Sequence, residues 1–342
     1  GSEPGAAGYL AALRLSRSKN WNEFQRNAGY YKVPSENLVY ADRAGNIGWI
    51  ASGWAPLRKN WSGLLPVPGH TGEYEWSGYL APELNPRKYN PGEGFVATAN
   101  HNILPPGYKH QLAFEWAAPW RFNRIEEMIA AQPKFSVADF QRMQTDVRSH
   151  AARKMQAVVK AWAASGLTAR EKALVDRFLR WDCEMRVDSQ EALVYALWSA
   201  KLSAAAYGAD LGARVELVTL LDDLTKNPKP AALAASLRSA IADAEKRFGA
   251  DESKWRWGAL HQVRFQHPVN VAQWHLGPVA RPGDGNTVGA ASGTNFQQTA
   301  GASYRQILDV SDWDKSVTTN TPGESGDPGS PFYSNLLQEW AA

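Results

Sequence analysis

Gly94-Phe95-Val96-Ala97-Thr98-Ala99-Asn100-His101-Asn102 is the stretch around which the chain is read. It follows Asn90-Pro91-Gly92-Glu93, where Pro presets φ and Gly supplies a positive φ, the chemistry of a turn. Gly94 to Ala99 are small or apolar and predict a short strand that ends in the polar cluster Asn100-His101-Asn102. A strand fixes the direction of a side chain at its tip, so it can aim an amide at a substrate. The Asn100 amide is a neutral donor at any pH and suits an oxyanion. The alternative is an Asx turn, in which the amide satisfies only local backbone.

Upstream, residues 5 to 29 predict helix, with Leu10, Leu13 and Leu15 roughly on one side and Asn20 as N-cap of a second helix. Asn37 to Asp42 and Asn46 to Ser52 alternate in the manner of strands, joined by a hairpin at Arg43-Ala44-Gly45. From Gly53 to Gly94 there is no period, only Pro, Gly and Trp, which predicts a long packed or functional loop. From Phe122 the pattern turns helical. Ser136-Val137-Ala138-Asp139 opens one helix, with apolar positions recurring through Val158 and Trp162, and Thr168-Ala169-Arg170-Glu171 opens another to about Trp181. Glu191 to Ala206, Ala213 to Leu224 and Ala231 to Phe248 complete the helical block, with Arg238 and Lys246 on solvated faces. Beyond Trp257, Val263-Arg264-Phe265, Ser303 to Val310 and Ser316 to Thr321 predict strands, and Gly277 to Gly301 predicts loop. Strands at both ends of the chain suggest one discontinuous sheet interrupted by helices.

Composition narrows the function. Thirty-seven basic and 34 acidic residues leave a net charge of +3, too balanced for a nucleic-acid surface. No apolar run is long enough to span a membrane. The 15 tryptophans fill core for the most part, with two or three left for a cleft. Cys183 is alone, so it forms no internal disulfide and no thiolate zinc cluster, and it reads as a buried structural thiol. His261 and His267 lack the spacing of helical zinc ligands, and His261 reads as a hydrogen-bonded structural histidine.

Several segments, in order, carry a resemblance to a known family. They are Asn37 to Asp42 with Gly45-Asn46-Ile47-Gly48, Leu65 to Gly69, Tyr74 to Gly78, Asn85 to Pro91, and Tyr108 to Ile125. The pattern continues at Trp257-Gly258-Ala259-Leu260-His261, Ser303 to Asp309 and Ser325-Gly326-Asp327-Pro328-Gly329-Ser330-Pro331. Together they resemble the penicillin amidase (penicillin acylase) family of N-terminal nucleophile hydrolases, over the C-terminal part of the β subunit. The resemblance implies an α+β fold, an αββα sandwich with an inserted helical subdomain. The expected partition is 1–130 for the sheet-core segment carrying the site Asn and Arg, 131–255 for the helical subdomain, and 256–342 for strands returning to the core.

The resemblance also implies the chemistry, hydrolysis of N-acyl amides through an acyl-enzyme formed on an N-terminal Ser exposed by self-cleavage of a precursor. Asn100 matches the family's oxyanion donor. Arg121 matches the arginine beside the nucleophile's amine, with Arg124 one helical turn on as the competing choice and a structural ion pair as the alternative. Glu36, Asn37 and Leu38 match a stretch of the acyl pocket, although Glu36 stands where an apolar residue is usual. Ser2 follows Gly1 and carries no free amine, so the nucleophile is expected upstream of Gly1 and this chain alone is expected to be inactive. His110 stands where the family has a carboxylate that helps hold calcium; imidazole is a poor ligand for a hard cation, and no cofactor is expected. The implied substrates are β-lactam side chains, acyl-homoserine lactones or lipopeptides. The implied partners are an acylase α subunit and the N-terminal part of the β subunit, in the periplasm or outside the cell. The alternative is a family relative without catalysis, acting as a binding or scaffold protein.

Overall fold

A computed structural model describes residues 8–162 and 166–342; Gly1-Ser2-Glu3-Pro4 and the start of the segment 5–29 lie outside them. The chain divides into two compact units, 1–117 with 309–313, and 118–308 with 314–342. Strands and helices occur in both, the α+β class. Among the described residues no helix is long and apolar enough to cross a membrane.

The first unit is built on a three-stranded antiparallel sheet of β1 (Glu36–Ala41), β2 (Ile47–Ser52) and β5 (Arg87–Tyr89), with β2 in the centre. β1 and β2 pair from Glu36↔Ser52 to Ala41↔Ile47. Asp42 shapes their hairpin: its Oδ1 accepts from the backbone N–H of Ala44 at 2.9 Å and of Asn46 at 3.0 Å. Gly45 takes the positive φ (+86°) that closes the turn. The helix Trp21–Ala28, capped as expected by Asn20 onto the Glu23 N–H at 3.0 Å, lies on this sheet. Its Trp21 and Ala28 cluster with Tyr40 and Ile50, and Trp21 stacks on Tyr89 at 4.8 Å. Gly48 is required there, because a Cβ at that position would stand 2.3 Å from the Trp21 ring. Leu10 and Leu13 are exposed, unlike the apolar face expected of them, and the helical segment breaks between Leu15 and Trp21.

The aperiodic stretch 53–94 holds three short strands, β5 and the ribbon of β3 (Pro56–Arg58) and β4 (Trp76–Tyr79), instead of loop throughout. Three or four residues are too few for a period of two to register. Conversely, the strand expected over Gly94 to Ala99 joins no ladder.

The second unit contains the main core. Its longer helices are Trp120–Ala130, Val137–Gln144, His150–Ala161, Ala169–Arg180, Gln190–Tyr207, Leu217–Lys226 and Pro230–Phe248. Both expected capping boxes form, Ser136 with Asp139 and Thr168 with Glu171. The helix expected to run on from Val137 stops at Gln144 and restarts at the Ser149 cap. The helix Gln190–Tyr207 carries apolar residues all round, with Leu193, Leu197, Trp198 and Leu202 fully buried. The Trp198 indole donates to Ser236 Oγ at 3.0 Å, so the polar end of the ring is satisfied inside the core. Eight of the fifteen tryptophans are buried, which makes core their main use. Arg238 is exposed, as expected, and from that surface it donates to Glu171 at 2.8 Å and to the Gly166 carbonyl at 3.0 Å, tying the cap of one helix to another.

After the helices comes a four-stranded sheet in the order β7 (Leu276–Ala280), β6 (Gln262–Phe265), β9 (Gln297–Gly301), β8 (Ala291–Thr294). Most of it lies in the segment expected to be loop. β8 and β9 are rich in Gly, Ser, Thr and Ala and mostly exposed, whereas β6 and β7 pack Val263, Phe265, Leu276 and Val279 around Leu337 and Trp340. β10 (Arg305–Ile307) and β11 (Val317–Thr319) form a separate ribbon. The strands of the two chain ends thus belong to separate sheets, where a single discontinuous sheet was expected.

Candidate active site

Asn100 sits in the first unit at φ +63°. Asn tolerates this left-handed conformation better than other residues with a Cβ, because its short polar side chain can bond locally. Its carbonyl accepts from the Ala117 N–H at 2.9 Å, which pins together the two ends of the loop 100–117. Within that loop Asn102 Oδ1 accepts from the Leu104 N–H at 3.0 Å, and the Tyr108 hydroxyl donates to the Leu84 carbonyl at 2.9 Å. Asn102 thus makes an Asx turn of its own. Asn100 itself is exposed, at a bend fixed through its backbone carbonyl.

Glu36, Asn37 and Leu38 open β1 in the same unit. Glu36 and Asn37 are exposed, and Asn37 Oδ1 accepts from the Trp49 indole at 2.9 Å. Leu38 shares its strand face with Tyr40 and packs against the Trp21 cluster. The cavity of about 310 Å³ on this unit is lined by Arg26, Tyr30, Trp54, Asn85 and Arg87 among others, and by none of Glu36, Asn37, Leu38 or Asn100.

Arg121 and Arg124 lie in the second unit, on the first turns of the helix Trp120–Ala130. Arg124 grips Asp146 with two bonds, 2.9 and 2.7 Å, and stands 3.3 Å from Glu127. The hydrogen bond to Asp146 is the chief cause that raises its pKa. Its guanidinium is engaged in holding two segments together. Arg121 is half-buried, and burial lowers its pKa.

Other expected residues take plain roles. Cys183 is buried, and desolvation pushes its thiol up to about 12, so the nucleophilic thiolate is suppressed. His110 meets the Tyr108 ring edge-on at 5.5 Å. Among the described residues no group of three His, Cys, Asp or Glu side chains could hold a metal ion. Imidazole at His110 is a poor ligand for a hard cation, which prefers oxygen. His261 donates from Nδ1 to the Phe296 carbonyl at 2.7 Å, yet its Nε2 is buried with no hydrogen-bond partner among the described residues. Sequence reasoning missed the unpartnered Nε2, and missed Asp284 beside a cavity, because only the fold decides which groups are buried and what they meet.

The comparisons with known proteins agree along the whole length. The family model described as Penicillin amidase matches residues 1–342. The chain is 32% identical over 376 residues to the acyl-homoserine lactone acylase QuiP of Pseudomonas fluorescens strain Pf0-1, covering 96% of this chain and 45% of that protein. It is 31% identical over 343 residues to the penicillin acylase 2 proenzyme of Pseudomonas sp. strain SE83, covering 89% and 43%. The chain thus spans about half the length of the curated relatives it matches. Among solved structures it resembles the thermostable penicillin G acylase of Alcaligenes faecalis, with a TM-score of 0.67 at 20% identity over 99% of this chain and 69% of that one. That likeness shows the fold, the α+β architecture of N-terminal nucleophile hydrolases. The chain belongs to the penicillin amidase family.

Proposed function

We propose that this chain is the portion of an N-acyl amide hydrolase that supplies the oxyanion donor, Asn100, and a positioning arginine, Arg121. The nucleophile in this reading is an N-terminal Ser on a segment outside residues 1–342, and the chain alone is inactive. The observation that carries the reading is the match over 96% of this chain to an acylase of which it covers only 45%. Support for Asn100 comes from its place at a bend held by the Ala117 bond. Support for Arg121 comes from its half-buried place on the first turn of the helix Trp120–Ala130.

The Ser hydroxyl attacks the amide carbonyl while its proton passes, through water, to the serine's own α-amine. The tetrahedral oxyanion accepts from the Asn100 amide, and the protonated amine leaves. Water then cleaves the ester by the same route. A cationic Arg121 beside the α-amine disfavours its protonated form and keeps it a base. Glu36, Asn37 and Leu38 form part of the acyl pocket, and the functional partition is 1–130, 131–255 and 256–342. An acylase α subunit completes the enzyme in the periplasm or outside the cell, after self-cleavage of a precursor.

Acyl-homoserine lactones are the first substrate class to assay, because that is the activity named for the relative at 32% identity. The whole protein, with its processed N-terminus sequenced, is mixed with decanoyl-homoserine lactone, penicillin G and an acylated peptide. Free amine released from any of them, with Ser at the processed end, supports the hydrolase reading. No release from all three, with no Ser, Thr or Cys at a processed end, leaves a binding or scaffold protein.

A further inference from the structure

The second unit contains a cavity of about 550 Å³ between the helix Val137–Gln144, the β10–β11 ribbon and the C-terminal helix Leu337–Ala341. None of Glu36, Asn37, Leu38, Asn100 or Arg121 lines it. The ribbon sets Arg305 opposite Thr319 and Ile307 opposite Val317, and all four residues line the cavity. Side chains two residues apart on a strand share one face, about 7 Å from each other, so Arg305 lies beside the apolar pair Ile307 and Val317. Along β10 the half-buried Arg305 and Ile307 flank the exposed Gln306, which marks the face of Arg305 as the inner one.

Arg305 is a cation without a counter-ion. Among the described residues its guanidinium makes no hydrogen bond and no ion pair. Only its Nε is shut away from solvent; the two terminal nitrogens keep open surface. Its Cζ stands 5.8 Å from the Trp340 ring, against which Arg281 also lies, at 3.9 Å. Arg281 is buried and bonds neutral groups, the carbonyls of Trp340 and Ala341 at 2.8 and 2.6 Å and Gln298 Oε1 at 3.2 Å. Two arginines thus share one indole, with no carboxylate paired to either among the described residues. Burial lowers the pKa of Arg305, and no neighbouring carboxylate opposes that. The other cation of the lining, Arg142, is paired with Asp139. The acid of the lining, Glu339, is exposed and makes no ion pair among the described residues. A half-buried charge calls for a partner, and a guanidinium fork offers a carboxylate two parallel N–H donors.

We propose that this cavity binds a small carboxylate with an apolar body. The carboxylate accepts from the terminal N–H groups of Arg305, and the body lies along Ile307 and Val317 towards Ala138. A single unpaired cation suits one negative charge better than the two of a phosphate. This inference does not depend on the hydrolase reading.

Octanoate is the probe, and octanamide is its neutral counterpart. The whole protein is crystallised with octanoate, and both compounds are titrated calorimetrically on the wild type, Arg305→Gln and Ala138→Phe. Ala138→Phe, at an exposed helix position, narrows the cavity and leaves Arg305 in place. The expected result is octanoate in the cavity with its carboxylate on Arg305, bound at least tenfold more weakly there by Arg305→Gln and by Ala138→Phe. Octanamide is expected to bind the wild type at least tenfold more weakly than octanoate. Circular dichroism reports whether each variant folds; should Arg305→Gln not fold, the crystal structure and Ala138→Phe decide. Octanoate found only elsewhere, a segment of the protein filling the cavity, or octanamide binding as tightly as octanoate overturns the proposal.

Discussion

Asn100, the proposed oxyanion donor, also holds a bend through its backbone, and its substitutions separate the two. At φ +63° a residue with an ordinary Cβ is strained by about 1 kcal/mol, whereas Gly is not. Asn100→Ala and Asn100→Gly in the whole enzyme both remove the amide and are expected to cut kcat roughly 100- to 1000-fold. Only Asn100→Ala is expected to lower stability as well, by about 1 kcal/mol in denaturant unfolding. A Gly variant with wild-type turnover would remove Asn100 from the chemistry. Asp284 is the other residue with a measurable signature. Burial holds its carboxyl at about 6 instead of the ordinary 3.8. The unfolded chain therefore ionises first as pH rises, and stability falls between about pH 4 and pH 6, by on the order of 3 kcal/mol. Asp284→Asn cannot ionise, so its stability relative to wild type is expected to rise across that window and stay level above it. A constant difference from pH 4 to pH 7.5 would show that burial does not penalise the charge.

At the scale of elements, helix starts were legible and short strands only in part: β6, β10 and β11 lie where strands were expected, whereas β3 to β5 and β7 to β9 were missed. Ser136-x-x-Asp139 and Thr168-x-x-Glu171 are local codes: hydroxyl and carboxylate satisfy backbone groups three residues apart, with no distant partner needed. Thr168→Ala is expected to cost about 1 kcal/mol, seen as a lower urea midpoint with an unchanged slope. The Arg238–Glu171 bond persists in that variant, so a much larger loss would mean that the cap also places Glu171. The strands β7 to β9 escaped notice because they carry little apolar alternation. The strand expected at 94–99 had the right composition, but a strand exists only through a partner, and none of the ladders takes it in. The break between the helices Val137–Gln144 and His150–Ala161 also depends on distant residues, since Arg148 bridges to Glu184 there.

For the molecule as a whole, the second unit concentrates the buried apolar surface. Leu197 is fully buried in a helix that is apolar all round. Leu197→Ala is expected to destabilise by about 2–5 kcal/mol, as a lost transfer term plus a cavity, in chemical denaturation followed by tryptophan fluorescence. A loss under about 1 kcal/mol would mean that the neighbouring helices collapse onto the gap. By itself the sequence determined the family, the helical block with its caps, the hairpin at Asp42 to Asn46 and the inert thiol at Cys183. Each rests on residues close in the chain or on ordered segments that need no third dimension. It also singled out Asn100 and Arg121 by position. Tertiary structure alone decided that Asn100 is a left-handed bend closed by Ala117, that Arg124 is engaged by Asp146, and that Asp284 lies beside a cavity. Those facts turn on which distant groups meet, and on which buried polar atoms find a partner. Hydrophobic pattern and local propensity do not encode either.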